Sequence, residues 1–206
     1  MENNSSASSL LNQANSKVIS HLRTWFPPML NDVKRNNYYE KAIELAIQEF
    51  IQNHPNREAP LILDIGTGTG FLAMLAIRHG AKHVYACEGF QALVPVAEKI
   101  IHENEMANKI TVIGKRSTDI VIGSDIPEKC DMVISEILDH SLIGEGILPS
   151  LRDARSRLLK KNAISIPSQG IIYGKLVESS EIRSLQKLAI TNHYNCVNYK
   201  SPKIIP

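Results

Sequence analysis

At 206 residues, with 43% hydrophobic and 21% charged side chains, the chain can bury an ordinary core and is too apolar for a disordered, collagenous or disulfide-scaffold protein. A net charge of +2 gives no case for direct nucleic-acid binding, and no apolar run reaches the ~18 residues a membrane span requires. Cys87, Cys130 and Cys196 stand too far apart for a metal-ligand set, so a reduced chain without metal is expected. Lys and Arg stand against Asp and Glu two to one over residues 1–31, eleven to seventeen over 32–150 and ten to three over 151–206. The acidic middle suits a cationic substrate. The N-terminus MENNSSASSLLNQANS lacks the basic and long apolar regions of a secretory signal, which makes the cytoplasm or the nucleus the expected location.

Residues 1–9, rich in Asn and Ser, are expected to be a disordered tail. From Leu10 to Phe26 the apolar residues Leu11, Val18, Leu22 and Phe26 recur at near-helical spacing, and Pro27-Pro28 should stop that helix. Asn31 or Asp32 can cap the next one, whose apolar face carries Tyr38, Ala42, Ile43, Leu45, Ala46, Phe50 and Ile51. After the polar link HPNREAP, 54–60, strand and helix alternate. PLILDIG, 60–66, reads as a strand and FLAMLAIRHG as a helix closed by Gly80. HVYACE, 83–88, is a second strand; 91–105 is a helix in which Pro95 fits only in the first turn. KITVIG, 109–114, and CDMVISEI, 130–137, are further strands, 148–161 a helix, and IIYGKLVES, 171–179, a last strand. This alternation implies a mostly parallel sheet covered by helices on both faces.

Asp64-Ile65-Gly66-Thr67-Gly68-Thr69-Gly70 joins the first strand to the first helix of that series, where glycines allow a sharp turn and a close approach of ligand to backbone. A dinucleotide fingerprint needs a third glycine where Phe71 stands, so the turn fits a pyrophosphate poorly. Its D-x-G-x-G-x-G form suits a ligand with an ammonium and a ribose, as S-adenosyl-L-methionine has. Glu88, at the end of the second strand, is placed to accept hydrogen bonds from ribose hydroxyls.

A second motif, Ser135-Glu136-Ile137-Leu138-Asp139-His140-Ser141-Leu142-Ile143-Gly144-Glu145, follows the fourth strand. With MLNDVKRNNYY at 29–39, LDIGTGTG at 63–70 and ACE at 86–88, it resembles the protein arginine N-methyltransferase family over about Trp25 to Ile182. Within that family it is most similar to the members built from two methyltransferase modules, which make monomethyl or symmetric dimethyl arginine. The resemblance implies a Rossmann-like, class I S-adenosylmethionine-dependent methyltransferase domain over residues 10–168, with 169–206 the start of a truncated C-terminal β region.

The resemblance also assigns roles. Glu136 and Glu145 match the paired glutamates that clamp the substrate guanidinium, Arg35 the arginine that meets the methionine carboxylate, and Met29 a residue at the reacting centre. Asp64, Gly66, Gly68, Gly70 and Glu88 would complete the cofactor site, with S-adenosyl-L-homocysteine as product and no metal. Ser117 falls where many members place an adenine-contacting glutamate, and Phe26 where many have a cofactor-contacting histidine. Asp139, shared with the two-module members, should narrow the arginine pocket. Tyr38 and Tyr39 read as core contacts, and His140 as an ordinary residue. The partner implied is an arginine-containing protein. The family's barrel domain, which closes the arginine pocket and carries the dimerisation arm, does not fit after Lys187, so this polypeptide alone is expected to bind cofactor but to methylate weakly. Two alternatives stay open: a cofactor-binding module without turnover, and a nicotinamide-dependent dehydrogenase, which Phe71 disfavours.

Overall fold

In the computed structural model, residues 26–139 and 141–185 are described. The expected tail at 1–9, nearly all of the helix from Leu10, His140 and the last 21 residues lie outside them. The chain divides after Ile171 into two compact units. The second contains, among its described residues, one six-residue helix, Ser180–Leu185.

Residues 26–30 form a helical turn that contains both prolines, with Asn31 N–H donating to Pro27 O at 3.0 Å; the helix expected before it lies outside the described residues. Proline's fixed φ suits such a turn wherever its missing N–H is not needed. Helix α1, Val33–Asn53, begins at Asp32, whose side chain accepts from Arg35 N–H at 2.9 Å. Its buried stripe is Ile43, Ala46, Ile47 and Phe50, the i, i+3, i+4, i+7 pattern of one helix face. That stripe is narrower than expected: Leu45 and Ile51 are exposed, and Tyr38 is 68% exposed rather than a core contact.

Strands β1 (Leu61–Ile65), β2 (His83–Cys87), β3 (Ile110–Ile113), β4 (Cys130–Ser135) and β5 (Leu159–Ile166) make one parallel sheet in the order β3-β2-β1-β4-β5. The connecting helices are α2 (Phe71–Arg78), α3 (Val94–Glu103) and α4 (Ile147–Arg157). Pro95 falls in the first turn of α3, where its missing N–H costs nothing. The period-2 alternation of β1 divides the core. Ile62 joins the α1, α2 and α3 side with Ile47, Ala73 and Ile101, while Leu61, Leu63 and Ile65 pack on the other side with Val133, Ala154 and Leu158.

Two expectations fail at the C-terminal end. The helix expected over 148–161 stops at Arg157, and Leu159 already pairs with Cys130. The register then jumps, Met132 pairing with Ile164, and Asn162 takes φ +67° inside the irregularity. The polar Lys160-Lys161-Asn162 is therefore a bulge on an edge strand, whose sequence imitates a helix end. IIYGKLVES forms no strand among the described residues, and Ile172, Tyr173, Leu176 and Val177 are exposed. An apolar run becomes a strand only against a neighbour that accepts its ladder.

Candidate active site at the C-terminal rim of the sheet

In open parallel sheets ligands bind beyond the carboxyl ends of the strands, where the order reverses; here β1 is that point, between β2 and β4. The glycine turn leaves β1 there. Gly66 and Thr67 N–H both donate to Cys87 O, at 2.9 and 3.1 Å, which folds the turn over the end of β2. Gly66 has φ +74°, and a Cβ on it would lie 2.6 Å from Ile137 Cγ2. Gly68 has φ +58°, and a Cβ there would lie 2.9 Å from the Phe26 ring. The turn thus needs glycine for conformation and for clearance at both positions. Gly66→Ala is expected to cost about 1–3 kcal/mol, measured as a lower denaturant midpoint, because left-handed strain and overpacking against Ile137 add. An unchanged midpoint would show that Ile137 yields freely.

Glu88, nearly buried, accepts from Gly68 N–H at 2.9 Å through Oε2 and from Phe90 N–H at 2.7 Å through Oε1. Each oxygen keeps a lone pair, so the same carboxylate both holds the turn and can accept from a ligand. Asp64 is 1% exposed; Oδ2 accepts from Thr67 Oγ1–H at 2.7 Å, and Oδ1 has no hydrogen-bond partner among the described residues. Burial, with the charge of Glu88 adding to it, pushes its pKa up to about 7, against the Thr67 hydrogen bond. A buried oxygen without a donor at a turn that needs glycine suits a ligand bearing an ammonium group. Gly70, the N-cap of α2, closes the turn, donating to Thr67 O at 2.9 Å.

On the other side of β1, Glu136 and Ile137 lie just past the end of β4, which closes at Ser135 rather than at 137. Arg35 Nη2 donates to Glu136 Oε2 at 2.5 Å, and both side chains are largely buried. The candidate carboxylate-binding arginine and the candidate guanidinium-binding glutamate thus hold one another. Glu145 has its pKa raised by burial, then by the charges of Glu136 and Asp139, which brings the paired glutamates into one electrostatic neighbourhood. Asp139 Oδ1 accepts from Ser141 N–H at 3.1 Å and Gly144 N–H at 3.0 Å, so it shapes the loop that carries Glu145. A Cβ at Gly144 would collide with that carboxylate at 2.1 Å. Met29 is half-buried in the turn before α1.

Ser117 lies buried in the short 3-10 turn Ser117–Asp119 after β3. Three residues that sequence reasoning assigned no part, or only a core one, support this rim. Tyr39 donates its O–H to Ser135 O at 3.1 Å, and its ring lies 5.3 Å from the Arg35 guanidinium carbon, so it fixes both Arg35 and the strand end before Glu136. Burial and the charge of Glu136 raise its pKa, keeping it a donor. Asn36 accepts from Arg35 Nη1 at 2.8 Å and donates to Leu30 O at 2.8 Å, tying Arg35 to the turn over Gly68. Arg157 donates to the carbonyls of Ser117, Thr118 and Ile120 at 2.9–3.2 Å while paired with Asp153. The local signal for the first two was only their place in MLNDVKRNNYY, and Arg157 had none, since its partners lie some forty positions away.

A doubly wound parallel sheet with a glycine turn at its reversal point, an acidic end to β2 and a paired-glutamate loop after β4 defines a class I methyltransferase domain. The ribosomal protein L11 methyltransferase (PrmA) family model matches residues 43–198, and the chain belongs to that family. It is also similar to arginine methyltransferases. An arginine N(omega)-methyltransferase of Streptomyces achromogenes subsp. streptozoticus is 39% identical over 83% of this chain and 45% of its own length. Protein arginine N-methyltransferase 7 of Anopheles gambiae is 38% identical over 81% of this chain and 24% of its own. The chain therefore spans less than half the length of these curated relatives. Among solved structures, the Trypanosoma brucei PRMT1 enzyme-prozyme heterotetramer with AdoHcy superposes with a TM-score of 0.57 at 27% identity, over 66% of this chain and 39% of that one. Arabidopsis thaliana protein arginine methyltransferase 10 does so with a TM-score of 0.55 at 32% identity, over 64% and 34%.

Proposed function

We propose that the rim binds S-adenosyl-L-methionine and directs its methyl group to a guanidino nitrogen of a protein arginine. The observation that carries this reading is the order of groups along the rim, which follows the strand order: Ser117 after β3, Glu88 after β2, the glycine turn after β1, and Glu136 with Arg35 beyond β4. That row matches an extended ligand with a base, a ribose and an ammonium carboxylate, ending where a second, cationic substrate would meet two carboxylates. In this reading Ser117 lies at the base, Glu88 takes the ribose hydroxyls, Asp64 Oδ1 faces the ammonium, and Arg35 takes the carboxylate.

When bound, the cofactor supplies an electrophilic methyl on a sulfonium sulfur. The protein's part is to orient. Glu136 and Glu145 clamp the guanidinium through charge-assisted hydrogen bonds and draw its positive charge toward themselves, which leaves electron density on the nitrogen in line with the methyl. The oriented guanidino nitrogen would take up the methyl that the sulfonium gives up, and the surplus nitrogen proton would leave toward Glu136, Glu145 or solvent. Met29, from the turn before α1, would line the reacting centre, and Asp139 shapes the glutamate loop. The dehydrogenase alternative is not favoured, since the family and relatives above are methyltransferases.

Calorimetric titration with S-adenosylhomocysteine and with NADH tests the cofactor assignment. S-adenosylhomocysteine should bind and NADH should not. Glu88→Ala should weaken binding by about 1–3 kcal/mol, the range for a hydrogen bond to a charged group, since it loses the ribose contact and frees Gly68 N–H. Equal binding of NADH, or an unaffected Glu88→Ala, would overturn the assignment.

A further inference from the structure

Arg116, at the outer end of the rim, has no part in the arrangement so far. It sits between β3 and the Ser117–Asp119 turn, exposed; its carbonyl accepts from Asp119 N–H at 2.9 Å, while its side chain makes no hydrogen bond or ion pair among the described residues. It does not wander from the sheet edge: its stem runs across Gly89, where a Cβ would lie 3.0 Å from Arg116 Cγ and 3.8 Å from Nε. Gly89 is the residue after Glu88, and Phe90, 42% exposed, follows it. The turn beside Arg116 is held by Arg157 through its carbonyls, so the backbone under Arg116 is fixed while its guanidinium is uncommitted.

An arginine without a carboxylate partner still has a flat, weakly hydrated face that stacks well on an aromatic plane. Gly89 has no side chain and the Arg116 stem lies in the space a Cβ would take, which seats the guanidinium beside the end of β2, and the buried Ser117 gives no charge to read a base edge. We infer that Arg116 is a ligand-binding residue of this site, whose guanidinium, carried on a stem seated against Gly89, lies flat against the purine ring of the nucleoside. The inference rests on the cofactor reading above and deepens it. A stacked guanidinium needs its plane and not only its charge, and it acts on the base end of the ligand alone.

The test is titration of the wild type, Arg116→Ala, Arg116→Lys and Arg116→Trp with S-adenosylhomocysteine and with 5′-methylthioadenosine, which lacks the amino-acid end. Arg116→Ala and Arg116→Lys should each weaken both ligands by about five- to tenfold, and Arg116→Trp should retain most of the affinity. Melting temperatures of all four should agree, since the side chain makes no polar contact in the fold. Wild-type affinity in Arg116→Lys, a loss confined to S-adenosylhomocysteine, or a loss that tracks melting temperature would overturn the inference. Failure of the wild type to bind S-adenosylhomocysteine would instead overturn the cofactor reading, so the two failures are distinct.

Discussion

Glu136→Gln is expected to reduce methyl transfer by about 10²–10³-fold, the scale seen when one preorganised electrostatic group is lost from a reacting centre. The change keeps size and one hydrogen-bond acceptor but removes the charge that holds a guanidinium. Two guanidinium groups compete for that charge, because Arg35 already lies on Glu136 Oε2 at 2.5 Å. Cofactor affinity should therefore not fall with activity. Arg35, released from Glu136 but still held by Asn36 and stacked over Tyr39, becomes more available to the ligand carboxylate. S-adenosylhomocysteine should bind as well as to the wild type, or a few-fold tighter. Parallel turnover and titration measurements check this, and a joint loss of activity and binding would place Glu136 in the cofactor site instead.

Asp64→Asn should change how stability depends on pH. The folded protein holds the Asp64 proton up to about pH 7, whereas a free aspartate releases it near 3.8. Below the lower value both states are protonated and the group contributes nothing. As pH rises through the window the unfolded chain ionises and the folded one does not, so stability falls, levelling off above about 7. The full loss is on the order of 4 kcal/mol at 1.36 kcal/mol per unit. Asparagine preserves the acceptor for Thr67 and removes the slope. Wild type and variant should therefore have similar unfolding midpoints near pH 4, with the variant more stable at pH 8. Under the proposed ligand, an ammonium at Oδ1 favours the carboxylate, so binding near pH 7 should release a proton from the wild type and not from the variant. Parallel curves for the two proteins across this range would show that Asp64 does not titrate as described.

The parts of the site that lie on one segment were legible in the sequence. The glycine turn and the acid at the end of β2 declare themselves because strand, turn and helix force the backbone geometry locally, whereas the glutamates after β4 are singled out only by the family resemblance, since two carboxylates on a loop otherwise read as solvated charges. The contacts between segments were not. Arg35 lies 101 positions from Glu136, and Tyr39 lies 96 from Ser135, so only folding could pair them. The edge strand β5 was read as a helix end because three polar residues interrupt its alternation, and a bulge conceals the period on which strand recognition depends. The segment 171–179 failed for the opposite reason: its apolar pattern is real, but a strand is defined by its neighbour.

The most direct measurement is transfer of an isotopically labelled methyl from S-adenosylmethionine to an Arg-Gly-rich peptide and to its twin with every arginine replaced by lysine, the labelled atom located by mass spectrometry. The expected result is label, in the low yield expected of this polypeptide alone, on the guanidino nitrogens of the arginine peptide, none on the lysine peptide, and about 10²–10³-fold slower labelling of the arginine peptide with Glu136→Gln. Label on the lysine side chains, or arginine labelling that Glu136→Gln leaves undiminished, would contradict a rim built to hold a guanidinium between Glu136 and Glu145.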